Sequence, residues 1–272
     1  MRILWVTSCA ADMWVASGRA LLKSFIETQT YGEILLCYEG IDKYRMQSVN
    51  DRLKFEYLDN DEFLHVWLNK FRNQIPVHLG GTVEEPLCKC PGGPYEPHSK
   101  KHRMPCIGHW FNKNHSRWFR KVAGLKIVLE RHVPQDHVKD TAVIWIDSDC
   151  RFKRKVEEKH VRDWFNTKGV FYLKHTRPVM EAGIVGYNLG AGGGKVITEV
   201  IDTYYSGAYQ KYERWDDSFV IQKVLFEKCP DVKSVDLAYG LGAHAGVVEQ
   251  SALGAFITHD KGRHGRKLGL MT

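Results

Sequence analysis

The run Val143-Ile144-Trp145-Ile146 carries no charge and then stops abruptly at Asp147-Ser148-Asp149. An uncharged, partly β-branched run in mid-chain reads as a strand buried on both faces, which demands a sheet with helices packed above and below it. The two carboxylates then stand at the strand's C-terminal end, where open α/β sheets bind their ligands. Alternate residues of an extended segment point the same way, so Asp147 and Asp149 can offer oxygens to one hard cation while Ser148 faces elsewhere. The plainer alternative is a polar turn that caps the strand.

The flanking sequence supplies the rest of such a sheet. Arg2 to Thr7 reads as a first strand, followed by a small-residue turn and a helix near 12 to 28 with Trp14, Leu21, Leu22 and Phe25 at helical spacing. Ile34 to Tyr38 and Leu53 to Leu58 give two more strands, the last ending at Asp59. This is the opening of a nucleotide-binding α/β sheet. Thr7, Ser8 and Asp59 fall at strand ends, where a base or ribose would rest, although ordinary turn residues stand there too. A helix at 116 to 132 carries Trp118, Val122, Leu125 and Leu129 on one stripe, and its Lys121 is placed to reach phosphates or a sugar beside Asp147. Beyond the Asp-x-Asp come a helix at 155 to 165, strands at 169 to 175 and 181 to 190, and helices at 195 to 205 and 219 to 228.

Between about 73 and 110 this order fails. The segment is rich in Pro and Gly and carries Cys88, Cys90 and Cys106 with His98, His102 and His109, donors that suit zinc but lack paired C-x-x-C arms. A long loop of this kind in a compact domain is usually functional or mobile, and the alternatives to zinc are a disordered loop or one that gates an acceptor.

Composition narrows the class. A chain of 272 residues, 43% hydrophobic, can bury a full core. The net charge of +7 suits a phosphorylated ligand and is too weak to indicate nucleic acid. No run is long and apolar enough for a transmembrane segment, and no signal peptide is evident. The seven cysteines are odd in number and scattered, as reduced thiols would be, so a soluble cytoplasmic protein is expected. Two glycine-rich stretches are set aside. Gly190 to Lys195 lacks the Ser or Thr of a phosphate loop, and Gly240 to Ala245 has too little chain after it for a dinucleotide fold.

The ordered set resembles the GT-A fold glycosyltransferases. It consists of the N-terminal nucleotide-binding half, Asp147-Ser148-Asp149, the Glu181 to Gly190 block followed by Asp216-Asp217, and His259-x-Lys261-Gly262. The resemblance implies a Rossmann-like mixed sheet flanked by helices in one large domain. Residues 1–150 would form the nucleotide-sugar half and 151–272 the acceptor half with a basic tail. It also implies a manganese or magnesium ion on Asp147, Asp149 and His259, with Ser148, Lys261, Gly262 and Arg263 on the nucleotide sugar, UDP-linked before GDP-linked. Asp217 or Asp216 would be the base for a glycan or other hydroxyl acceptor, with Glu181, Asn188 and Trp215 lining it. Inversion is expected, although Tyr187-Asn188-Leu189-Gly190 also looks like a segment of retaining members. A nucleotidyltransferase or nuclease, or a carbohydrate-binding module without catalysis, are the other classes compatible with these residues.

Overall fold

The computed structural model describes residues 1–42, 46, 50–71, 115–174, 179–241 and 246–260. The strands are β1 (Arg2–Ala10), β2 (Glu33–Glu39), β3 (Leu53–Tyr57), β4 (Thr141–Ile146), β5 (Cys150–Phe152), β6 (Val170–Lys174), β7 (Met180–Asn188), β8 (Ser234–Asp236) and β9 (Ile257–His259). The longer helices are α1 (Arg19–Glu27), α2 (Glu62–Phe71), α3 (His115–Ile127), α4 (Glu158–Phe165), α5 (Gly193–Tyr205) and α6 (Asp217–Lys223).

Seven strands form one mixed sheet in the order β3-β2-β1-β4-β7-β6-β8. β7 pairs antiparallel with both β4 and β6, whereas β1 to β4 run parallel and β8 is parallel to β6. All six residues of β4 are buried, which explains their lack of charge. Side chains alternate between two cores, as a strand covered on both faces requires. Val143 and Trp145 join α2, α3, α5 and α6 on one face, and Ala142, Ile144 and Ile146 join α1 and α4 on the other. β1 therefore has β2 reached through α1 on one side and β4 reached through α3 on the other. That reversal is the switch point where open α/β sheets hold ligands. Because β4 and β7 are neighbours, strands from both halves of the chain build the same sheet.

Several details depart from the sequence reading. The first helix is preceded by a turn at Ala11–Met13 and a π-helical turn at Trp14–Gly18, and only α1 is regular. Gly18 permits this packing, since a Cβ there would lie 3.0 Å from the Trp14 ring. β5 and β9 pair as a separate two-stranded ribbon, and β8 closes the large sheet. Each is three residues long, too short to show a period. In β7, Gly186 leaves room for the Phe171 ring to lie across the strand.

Candidate active site

β4 delivers Asp147 to the switch-point edge and local bonds fix it there. Its backbone N–H donates to the Gly183 carbonyl at 2.8 Å, and its Oδ1 accepts from Trp145 Nε1 at 2.7 Å. The turn through Ser148 and Asp149 closes with a bond from Cys150 N to Asp147 O at 3.0 Å and leads into β5. Ser148 is buried with its Oγ 3.4 Å from that of Ser17, while both aspartates keep part of their side chains open, 37% for Asp147 and 26% for Asp149.

The β5–β9 ribbon brings in the third group. Cys150 pairs with His259, the Asp260 N–H donates to the Asp149 carbonyl at 3.0 Å, and the His259 N–H donates to Glu249 Oε1 at 2.9 Å. These bonds set His259 Nε2 at 3.1 Å from Asp149 Oδ1 and 4.0 Å from Asp147 Oδ2. Burial is the strongest influence on the imidazole and disfavours its charge, but the Asp149 hydrogen bond and the charges of Asp147, Asp149 and Glu181 together raise its pKa.

Carboxylate oxygens and an imidazole nitrogen are a donor set for manganese or magnesium. Among the described residues, the group with ligand atoms all within 4.8 Å of one another is Asp149, Cys150 and His259, and Asp147 lies outside it. The Cys150 thiol is fully buried, and burial followed by the Asp147 and Asp149 charges pushes it well above the usual thiol range. A soft donor kept protonated does not compete for a hard cation. Asp149 and His259 remain as donors that could hold one, with Asp147 Oδ2 4.0 Å from the imidazole.

Lys121 joins this edge to a second carboxylate. Only 5% exposed, it reaches from α3 under Asp147, donates to the Ala182 carbonyl at 2.5 Å, and stands 3.6 Å from Asp147 Oδ1 and 4.9 Å from the centre of the Trp145 ring. It also forms a direct ion pair with Asp217 Oδ2. Burial works against the ammonium charge most strongly, yet Asp147 and Asp217 outweigh it and lift Lys121 above the usual lysine range. Its bonds are thus spent inside the protein, on two carboxylates and a carbonyl, where the sequence had suggested a reach towards phosphate.

The neighbouring acids Asp216 and Asp217 do different work. Asp216 caps α6 by accepting from Phe219 N and holds the Arg214 guanidinium at 2.8 and 3.0 Å. Asp217 is buried at the start of the helix, where the Ser218 N–H bonds Oδ1 at 2.9 Å. Burial raises its pKa and Lys121 opposes that rise. Of the pair, Asp217 is the one that Lys121 links to Asp147.

Thr7, Ser8 and Asp59 lie on the same sheet edge, because β1, β3 and β4 point the same way. Thr7 is fully buried, and its Oγ1 has no partner among the described residues. Asp59 accepts from the Gly40 N–H at 2.9 Å and so braces the turn after β2. Glu181 is buried at the start of β7, where Gly183 N–H bonds Oε1 at 3.0 Å. Two expected contacts are corrected. Asn188 pairs with Ala142, at the opposite end of β4 from Asp147, because β7 runs antiparallel. Trp215 is 2% exposed, packed edge-on against Tyr209 with ring centroids 5.4 Å apart, and so has no free face for a sugar. Lys261, Gly262, Arg263 and the Cys88, Cys90 and Cys106 segment lie outside the described residues. Ser17, Gly183 and Glu249, which hold the turn and the His259 backbone, carry no sequence signal of their own.

Among the described residues no helix is long and apolar enough to cross a membrane. No family model matches the chain. No curated protein matches it by sequence. Solved structures similar in outline include mouse xyloside xylosyltransferase 1, with 10% identity and a TM-score of 0.48 over 97% of this chain and 99% of that one. The WbbM bifunctional glycosyltransferase shows 12% identity and a TM-score of 0.46 over 87% of this chain and 39% of that one. The glycosyltransferase GlyE of Streptococcus pneumoniae TIGR4 shows 12% identity and a TM-score of 0.42 over 88% of this chain and 46% of that one.

Proposed function

We propose that this chain is a divalent-cation-dependent glycosyltransferase that moves a sugar from a nucleoside diphosphate to an acceptor hydroxyl. The observation that carries the reading is the convergence of Asp147, Asp149 and His259 at the switch-point edge, with Lys121 linking Asp147 to the buried Asp217. In this reading Asp147, Asp149 and His259 hold manganese or magnesium. When bound, that cation offsets the charge that grows on the diphosphate as it leaves.

The chain's own groups do the rest. Thr7, Ser8 and Asp59 border the place for the base and ribose, and UDP is the first carrier to test. Lys261, Gly262 and Arg263 follow Asp260 directly in the sequence, and their assignment to the diphosphate stands on that order. Asp217 is the base: the acceptor oxygen bonds to the anomeric carbon, its proton passes to the Asp217 carboxylate, and the bond from that carbon to the diphosphate oxygen breaks. Burial raises the Asp217 pKa most strongly, and the Lys121 ammonium opposes that rise. Displacement in one step inverts the anomeric centre. The Asn188 segment, which looked towards retaining enzymes, stands at the far end of β7.

The other classes fit less well. A two-metal phosphate enzyme needs further acids around the cation, and the buried Lys121 ammonium stands 3.6 Å from Asp147 Oδ1 instead. The tryptophans suggested a carbohydrate-binding module, but Trp5, Trp67, Trp145, Trp164 and Trp215 are all buried.

The test is turnover of a panel of UDP- and GDP-sugars with manganese, followed by NMR of the product's anomeric centre. Cation-dependent transfer from one donor with inverted configuration is expected. Absence of turnover and of donor hydrolysis across the panel, with folded protein, would remove the reading.

A further inference from the structure

Every backbone carbonyl from Asp147 to Cys150 accepts a hydrogen bond, and together these bonds hold the peptides on either side of Asp149. The peptide after Asp149 is held by backbone alone. The Asp149 carbonyl accepts from Asp260 N–H at 3.0 Å, and the Cys150 N–H donates to the Asp147 carbonyl at 3.0 Å. The peptide before Asp149 is held by a side chain. Arg151 of β5, half-buried in the ribbon opposite Thr258, donates from one guanidinium nitrogen to the Ser148 carbonyl at 3.1 Å and to the Cys150 carbonyl.

Two peptide planes set the direction of the side chain between them. A planar guanidinium that spans two carbonyls is a rigid strut, and here it carries the first of those planes. We infer that Arg151 is a positioning residue for Asp149: its bonds to the carbonyls of Ser148 and Cys150 hold the turn so that the Asp149 carboxylate faces His259, 3.1 Å away. The consequence for a bound cation rests on the reading of Asp149 and His259 as its ligands. Arg151 is itself positively charged, so its charge and its geometry act on a divalent ion in opposite directions. Charge alone repels the ion, whereas the held turn favours it.

The test measures manganese affinity of the nucleotide-free protein for wild type, Arg151→Met, Arg151→Lys, Asp149→Ala and the Arg151→Met/Asp149→Ala double variant. Removing a neighbouring positive charge would by itself tighten manganese binding. Loss of the held turn weakens it, by about 10- to 100-fold, the range for groups that orient a ligand. Arg151→Met is therefore expected to bind manganese more weakly than wild type, and the loss should vanish in the Asp149→Ala background. Arg151→Lys keeps the charge without the planar fork and should fall between the two, so it carries the test if Arg151→Met does not fold. Carbon-13 NMR of the metal-free protein gives a second readout, in which the Ser148 carbonyl and Asp149 carboxylate resonances should both move in the Arg151 variants. Wild-type protein that takes no manganese would sink the cation-site reading, and the carbon shifts would still decide the Arg151 assignment. Manganese bound by either variant as tightly as by wild type, an equal loss with and without Asp149, or an Asp149 carboxylate resonance that stays in place would overturn it.

Discussion

Lys121 of α3 and Asp217 of α6 form a buried ion pair, and Asp147 Oδ1 lies 3.6 Å from the same ammonium. Removing one partner of such a pair leaves an uncompensated charge, which costs about 3–5 kcal/mol. Lys121→Met is therefore expected to lower thermal stability sharply, and adding Asp217→Asn should restore much of it. Melting curves of the two single variants and the double variant check this. A Lys121→Met protein as stable as wild type would show that the pair is not formed in solution.

Asp216 and Asp217 are adjacent in sequence and expected to separate cleanly in function. Asp216→Ala loses a helix cap, at about 1 kcal/mol, and its Arg214 partner, so stability falls while kcat changes little. Asp217→Asn should lower kcat by about 10²- to 10⁴-fold, the range for loss of a general base. Steady-state rates beside melting temperatures distinguish the two, and equal kcat losses would contradict the assignment.

A third expectation concerns pH and a site remote from the chemistry. Glu56 of β3 faces His132 Nε2 at 2.8 Å and Arg131 at 2.9 Å, and the His132 hydrogen bond, ahead of the Arg131 charge, holds its pKa below the usual glutamate range. A carboxylate whose pKa is depressed by folding stabilises above its unfolded value, and that contribution is lost as pH falls through the folded value. The gap in melting temperature between wild type and Glu56→Gln should be widest near neutrality and close below about pH 4. A gap that grows on acidification would reverse the sign and refute it.

Much of the sheet was legible because β4 announces itself. An uncharged run ending in two acids fixes a doubly covered strand, its direction and the edge where ligands sit. Lys121 was legible as a nearby cation but not as an ion-pair partner, since Asp217 comes from a distant helix and pairing across the fold leaves no mark in one sequence. Asn188 and Trp215 were misplaced for related reasons. Strand register decides which end of β7 meets Asp147, and a tryptophan reads the same whether it packs inward or lies open. The ribbon that carries His259 consists of strands too short to show alternation, so that residue was reached only through family resemblance. Glu249, which holds its backbone, was not reached at all.

The most direct test of the cation-dependent donor site is calorimetric titration with UDP and with GDP, with and without manganese, on wild type and Asp149→Ala. Binding of one nucleotide that requires manganese and disappears in the variant is expected. Binding that is indifferent to manganese and to Asp149, or no nucleotide binding under any of these conditions by folded protein, would contradict the account.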